Sequence, residues 1–183
     1  MAFLYGPGEG VRRAFSASVF CRLQGDSRRI LLIHHKLLKL WLPVGGELEI
    51  RQDLQQDGPC EFFVPRPETP LEAAAREVFE ETGFTPTFPK IKHAPAGTPR
   101  GFLGFEEYYA GPKGYHMNFC FLADVNSDVP KDDGSWSAYR WVNPYDAQGD
   151  KSLEMPDNVR DILWKILTTQ TERVWRSTRT SSR

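Results

Sequence analysis

The chain has 183 residues, 40% of them hydrophobic and 13% aromatic, enough for the core of about one domain, and this excludes global disorder. Its 23 basic and 24 acidic residues leave a formal net charge of −1, so no basic excess argues for a nucleic-acid partner. No run approaches ~18 apolar residues, the N-terminus lacks the pattern of a signal peptide, and three scattered cysteines (Cys21, Cys60, Cys120) fit neither a disulfide framework nor a zinc site. A cytoplasmic enzyme with no membrane partner is expected.

Residues 1–11, rich in glycine, read as an irregular arm. Residues 12–23 read as a strand, and Gly25-Asp26 marks a turn. Residues 29–35 are a second strand whose continuous apolar centre predicts burial on both faces. His34 and His35 are adjacent on it, so they point to opposite faces and cannot grip one metal together. Residues 37–48 read as strand, turn and strand, with the turn at Pro43 to Gly46, where paired glycines permit a close backbone approach. Residues 51–66 begin polar and end in Phe62-Phe63-Val64, with a turn signal at Asp57-Gly58-Pro59. A small hairpin or excursion there, at the rim of a site, would cover substrate, mediate a homodimer contact through Phe62-Phe63, or be a tolerated surface loop.

Glu68 to Phe84 reads as a capped helix. Thr69 is the N-cap, Pro70 suits the first helical position, Glu72 completes a capping box, and Gly83 closes the helix. At ~100° per residue Leu71, Ala75, Val78, Phe79 and Thr82 gather on one side, predicted to face the core. Glu77, Glu80 and Glu81 gather nearly opposite, at i, i+3 and i+4, where like charges repel. They read either as a solvated acidic face or as a seat for a hard divalent cation, which binds oxygen ligands. Arg76 lies one turn before Glu80 and can pair with it, and Glu68 stands within reach of Arg76.

A proline-punctuated segment follows, with Pro86, Pro89, Pro95 and Pro99, then residues 101–110 with no element assigned. Residues 115–125 are a strand, 128–135 a loop, 137–142 a further strand, and 143–146 a short helix or turn. Residues 155–168 form the last helix, with Val159, Ile162, Leu163 and Ile166 as its apolar stripe, and 169–183 are a polar, frayed tail. The order of elements fits a mixed sheet flanked by helices.

The stretch from Glu68 to Phe84 resembles the Nudix box, G-x(5)-E-x(7)-R-E-U-x-E-E-x-G-U with U apolar. Glu68, Arg76, Glu77, Val78, Glu80, Glu81, Gly83 and Phe84 stand in its register. Trp41 to Glu49 is similar to the W-x-P-x-G-G-x-x-E approach to that box. Glu68 lies 22 residues after Gly46 where the pattern has six, an excess of 16, so residues 51–66 read as an insertion.

The resemblance implies an α/β/α sandwich with a mixed central sheet over residues 12–168. It implies Mg²⁺-dependent hydrolysis of a pyrophosphate bond in a nucleoside diphosphate linked to another group, such as an NTP, ADP-ribose or a nucleotide sugar. Glu77, Glu80 and Glu81, with the Gly45 carbonyl, would hold one to three Mg²⁺ (or Mn²⁺) ions. Arg76 and Glu68 would orient those carboxylates, and Glu68, Arg76, Glu77 and Glu81 form the implied catalytic set. Several relatives add an acidic residue from the loop before the last strand. Here Ser137 and Ala138 precede Tyr139, and Asp132 and Asp133 are the acids on offer, which leaves the general base open. Asp133, His116 and Phe102 are candidate substrate contacts, beside which stand a solvated turn aspartate for Asp133, a hydrogen-bonded structural histidine for His116 and a core aromatic for Phe102. Pro99, 15 residues after Phe84, resembles ADP-ribose-cleaving members. The alternative is a binding module of the same fold that senses a nucleotide without cleaving it.

Overall fold

The computed structural model describes residues 3–5, 12–26, 28–57, 60–109 and 114–169. Among the described residues ten strands and three helices follow in order: β1 (Phe3–Tyr5), β2 (Arg12–Leu23), β3 (Ile30–His35), β4 (Trp41–Leu42), β5 (Val44–Glu47), β6 (Ile50–Asp57), β7 (Cys60–Pro67), α1 (Pro70–Thr82), β8 (Phe102–Tyr109), β9 (Tyr115–Val125), β10 (Trp136–Val142), α2 (Pro144–Ala147) and α3 (Asp157–Thr168). Eight strands form one sheet in the order β10-β3-β2-β9-β8, with β1 and β5 also on β2 and β4 on β3. β2 and β9 run parallel and the other pairs antiparallel, so the sheet is mixed. The expected irregular arm therefore contributes a short strand, Phe3 to Tyr5 pairing with Ala14 to Arg12. The expected tail lies outside the described residues.

Strand alternation sends successive side chains to opposite faces, and here both faces are covered. Leu31, Ile33, Ala17, Val19, Phe121 and Ala123 pack beneath α1 with Ala73, Ala74 and Val78. Ile30, Leu32, Phe20 and Leu122 pack beneath α3 with Val159, Leu163 and Ile166. Two cores on one sheet make the α/β/α sandwich.

Helix α1 starts and stops as its caps predict. Thr69 accepts from the Glu72 N–H, Glu72 returns a bond to the Thr69 N–H, and Gly83 ends the helix in the left-handed conformation at φ 70°. Its buried face differs from the expected one. Ala73, Ala74, Val78, Glu81 and Thr82 are buried, whereas Phe79 is 61% exposed. Glu81 Oε2 accepts from the Gly45 N–H of β5, so this side of α1 faces the sheet and Phe79 lies on the outer side.

Residues 50–67 form a separate antiparallel hairpin, in register from Ile50↔Pro67 to Asp57↔Cys60. Its base is clasped: the Glu68 N–H donates to the Glu49 carbonyl at 2.8 Å, and the Glu49 N–H donates to Glu68 Oε2 at 3.1 Å. The excess residues thus leave and return at one point. Arg66 ties the hairpin to the helix start through a two-bonded pair with Glu72, at 2.7 and 2.8 Å, which holds the Glu72 carboxyl down at about 2. Side chains of residues 52–64, including Phe62 and Phe63, lie outside the described residues. Replacing residues 52–65 by a short turn is expected to change unfolding free energy by less than about 1 kcal/mol, because loop length enters only logarithmically. Chemical denaturation of the deletion variant measures it.

Strand β8, where no element was assigned, is an edge strand. Its register with β9 shifts between Phe102 and Gly104, a bulge that breaks the alternation a sequence reading depends on.

Candidate active site

The end of β5, the end of the hairpin and the side of α1 that meets them bring Glu68, Arg76, Glu77, Glu80 and Glu81 together. Arg76 is the hub. Its Nε and Nη2 each donate to Glu68 at 3.0 Å, its Nη1 donates to Glu77 Oε1 and to Glu80 Oε2 at 2.8 Å each, and Nη2 also donates to the Glu47 carbonyl at 3.0 Å. All five guanidinium donors are thereby used, and the planar fork fixes where the carboxylates stand. Burial disfavours the charge on Arg76, but its bonds with Glu68 and Glu80 and the charge of Glu77 outweigh that and raise its pKa. Burial likewise works to raise Glu68, which is 5% exposed, and Arg76 with the Glu49 N–H outweighs it and brings Glu68 below the usual carboxylate range.

Glu77 and Glu81 behave oppositely. Burial raises the Glu77 pKa in spite of Arg76. Glu81 is 9% exposed and is pushed up to about 8, by burial first and then by the charges of Glu77, Asp133 and Glu80. Only the Gly45 N–H, donating to Glu81 Oε2 at 3.1 Å, opposes this. Such close packing needs both glycines. A Cβ on Gly45 would collide with the Ala17 carbonyl, and one on Gly46 with the Glu77 carboxylate. Gly45 meets the cluster through its N–H, on Glu81, while it pairs with Ser18 of β2. The need for Gly46 beneath Glu77 went unread in the sequence, where only the glycine pair was the signal.

Buried carboxylates that repel one another present the chemistry of a hard-cation site, since Mg²⁺ is held by carboxylate oxygens. Among the described residues no three ligating side chains already stand close enough to hold an ion, because Glu68, Glu77 and Glu80 close on Arg76 and Glu81 closes on Gly45. The donor set fits Mg²⁺, provided Glu77 and Glu80 turn from the guanidinium.

The raised Glu81 pKa carries a sign. Between its unfolded value of 4.5 and its folded value of about 8 the native state binds the extra proton, so stability falls as pH rises through that window. Metal-free protein should melt on the order of 5 °C lower at pH 8 than at pH 5.5 on this account, with added Mg²⁺ recovering more at pH 8. Thermal melts of wild type and Glu81→Gln in EDTA test it, since the variant should lose that slope.

Of the two loop aspartates, Asp133 is near the cluster: its charge reaches Glu81, and its Oδ1 accepts from the Ser135 N–H and hydroxyl at 2.9 and 2.7 Å. Trp136, 4% exposed, donates from Nε1 to the Glu81 carbonyl at 3.0 Å and pins this loop to the end of α1. A pocket of about 460 Å³ opens beside Gly45, Gly46 and Glu47, on the α3 side of the sheet, and His116 lines it. His116 is stacked on Tyr108 at 5.5 Å between ring centres. Phe102 does not line the pocket. Its ring packs on Phe121 at 5.6 Å against the core under α1, because the bulge at Gly104 turns it to the other face. His34 and His35 do part company: His34 meets Ser137 Oγ at 2.8 Å, while His35 Nδ1 accepts from the Leu37 and Leu38 N–H groups at 3.2 Å. The pocket residues Ser16, Ser18, Glu106 and Asn118 went unread. Polar residues recurring at every second place of strongly apolar strands were their signal.

The NUDIX domain family model matches residues 12–163. Among solved structures, a NUDIX-family hydrolase from Clostridium perfringens is similar at 21% identity and TM-score 0.62, over 85% of this chain and 97% of that one. A Caenorhabditis elegans Ap4A hydrolase in a binary complex is similar at 16% identity and TM-score 0.60, over 85% and 96%. The NUDIX domain of Shewanella oneidensis NrtR, complexed with ADP ribose, is similar at 15% identity and TM-score 0.56, over 90% and 92%. No curated protein sequence matches the chain. No helix among the described residues is long and apolar enough to cross a membrane.

Proposed function

The chain belongs to the NUDIX domain family of hydrolases, and from that premise we propose that it is a Mg²⁺-dependent pyrophosphohydrolase acting on a nucleoside diphosphate linked to a second group. The observation that carries this reading is the carboxylate cluster: Glu68, Glu77 and Glu80 gathered on one guanidinium, with a buried Glu81 beside them whose proton is lost only near pH 8.

A pyrophosphate repels an attacking water, and a divalent ion neutralises that charge and lowers the water's pKa. Glu77, Glu80 and Glu81 would hold it, with the Gly45 carbonyl as a further oxygen. Arg76 positions these carboxylates and limits their rotamers, a supporting role that typically matters 10–100-fold. Asp133, whose charge reaches Glu81, is the candidate to take the proton of the attacking water. β5 adjoins both the cluster and the pocket, so a substrate whose diphosphate lies on the carboxylates has its nucleoside beside the pocket.

The test is release of phosphate or nucleotide from NTPs, dNTPs, ADP-ribose, nucleotide sugars and dinucleoside polyphosphates, with Mg²⁺, with Mn²⁺ and with EDTA. ADP-ribose and Ap4A belong in that panel because structural relatives are described with them. Metal-dependent cleavage of at least one compound is expected. Saturable binding without cleavage of any would replace the enzyme by the nucleotide-sensing module.

A further inference from the structure

The pocket beside β5 has a floor that the hydrolytic chemistry does not use. Four strands present one transverse row at the same level: Glu106 on β8 faces Asn118 on β9, Asn118 faces Ser16 on β2, and Ser16 faces Glu47 on β5. The row is internally oriented. The hydroxyls of Ser16 and Ser18 both donate to Asn118 Oδ1 at 3.1 Å, which fixes the amide so that its Nδ2 points at Glu106 Oε2, 3.4 Å away. Asn158, in the first turn of α3, donates from its own Nδ2 to the same Glu106 oxygen at 3.0 Å. Burial, and after it the charge of Glu106, pushes the neighbouring Cys120 thiol up to about 12.

Two consequences follow from counting donors and acceptors. A carboxylate offers about four lone-pair sites, so Glu106 retains acceptor capacity after these two bonds, both on Oε2, and Asn158 has committed an N–H while its carbonyl oxygen remains an acceptor. The floor therefore presents adjacent acceptors to whatever enters. Second, no lysine or arginine among the described residues lines the pocket, whereas Glu47, Glu106 and Glu107 do. That electrostatic balance disfavours a phosphate or carboxylate and favours a group rich in N–H. Tyr108 and His116, whose rings stack on each other at 15°, line the pocket next to the floor, and aromatic rings there suit a planar ring more than a sugar.

Resting on the nucleotide reading above, we infer that this pocket selects guanine, with Glu106 and Asn158 accepting from the ring N–H and the neighbouring amino group of the base. Guanine is the one common base with two contiguous donors on its pairing edge. Adenine, cytosine and uracil each set an acceptor beside their donor and would oppose it to the acceptors of the floor. A site built to receive an N–H discriminates strongly against a ligand lacking it, because its own buried polar groups are then left unpaired.

The test is isothermal titration calorimetry of the full chain in EDTA with GMP, IMP, AMP, CMP and UMP, so that base recognition is read without turnover. GMP should bind about 10- to 100-fold more tightly than AMP, CMP or UMP, and IMP, lacking the amino group, should fall between. Glu106→Gln should collapse the preference, and Asn158→Ala should abolish the difference between GMP and IMP. If Glu106→Gln fails to fold, as thermal melting would reveal, Asn158→Ala decides alone. AMP, CMP or UMP bound as tightly as GMP, a preference unchanged in the folded variants, or no GMP binding at millimolar concentration would each overturn the inference. Guanine selectivity without hydrolysis of any diphosphate would instead retire the enzymatic reading and leave this one standing.

Discussion

Glu81→Gln is expected to lower kcat by about 10³-fold, the loss typical of removing one preorganised electrostatic group from a reacting centre, while raising the melting temperature of the metal-free protein. The two effects have one cause. Glu81 is buried beside Glu77, Glu80 and Asp133 and holds its proton up to about pH 8, so its ionised form opposes folding. An amide of nearly the same shape removes that opposition but cannot supply an anionic ligand. Glu80→Gln should cost comparable activity, but its side chain is 54% exposed, so it should leave stability within about 0.5 kcal/mol. Steady-state kinetics on whichever compound the substrate panel identifies, paired with thermal melts, provides both readouts. Wild-type turnover in the Glu80→Gln, Glu81→Gln double variant would end the metal-site assignment.

Arg76→Ala is expected to be the most damaging single change to the fold of the site. It removes five donors at once and strands Glu68, which is 5% exposed, with only the Glu49 N–H left to it. Breaking a buried ion pair from one side costs about 3–5 kcal/mol, and the partial exposure of Arg76 places the loss near the lower end. Activity should fall about 10- to 100-fold through misplaced carboxylates. Lysine at this position should not rescue it, because an ammonium cannot reach three carboxylates and a carbonyl from one planar fork. Urea denaturation of Arg76→Ala and Arg76→Lys measures the first effect, and kcat/KM of the folded fraction the second. Equal stability of Arg76→Lys and wild type would contradict the bidentate geometry.

Much of the molecule was legible before its shape was known. Thr69, Glu72 and Gly83 announced both ends of α1, since capping is a matter of local backbone valences. β2 and β9 could be bounded to the residue from their apolar runs, and the pairing of Arg76 with Glu80 and Glu68 follows from helical spacing and proximity. Other features resisted. Phe79 was placed in the core because a helical wheel finds an apolar face but cannot know that Glu81 must reach the backbone of β5. Phe102, by sequence a candidate substrate contact or a core residue, packs in the core beside Phe121, next to a bulge at Gly104 that alternation does not show. β8 itself was missed because it is an edge strand, half exposed and irregular in register.

The sequence by itself determined the local events and the reaction class: caps, strand cores, and the spaced glutamates around Arg76. These depend on neighbours within a few residues, where periodicity and valence suffice. Only the tertiary structure decided the rest. It showed the hairpin of residues 50–67 returning to its starting point at Glu49 and Glu68, and Gly46 made necessary by a carboxylate from another element. It also assembled the floor of Glu106, Asn118, Ser16 and Glu47 from four strands far apart in the chain. Such contacts are fixed by which strands lie side by side, a choice made by burial over the whole sheet that no short window of sequence records.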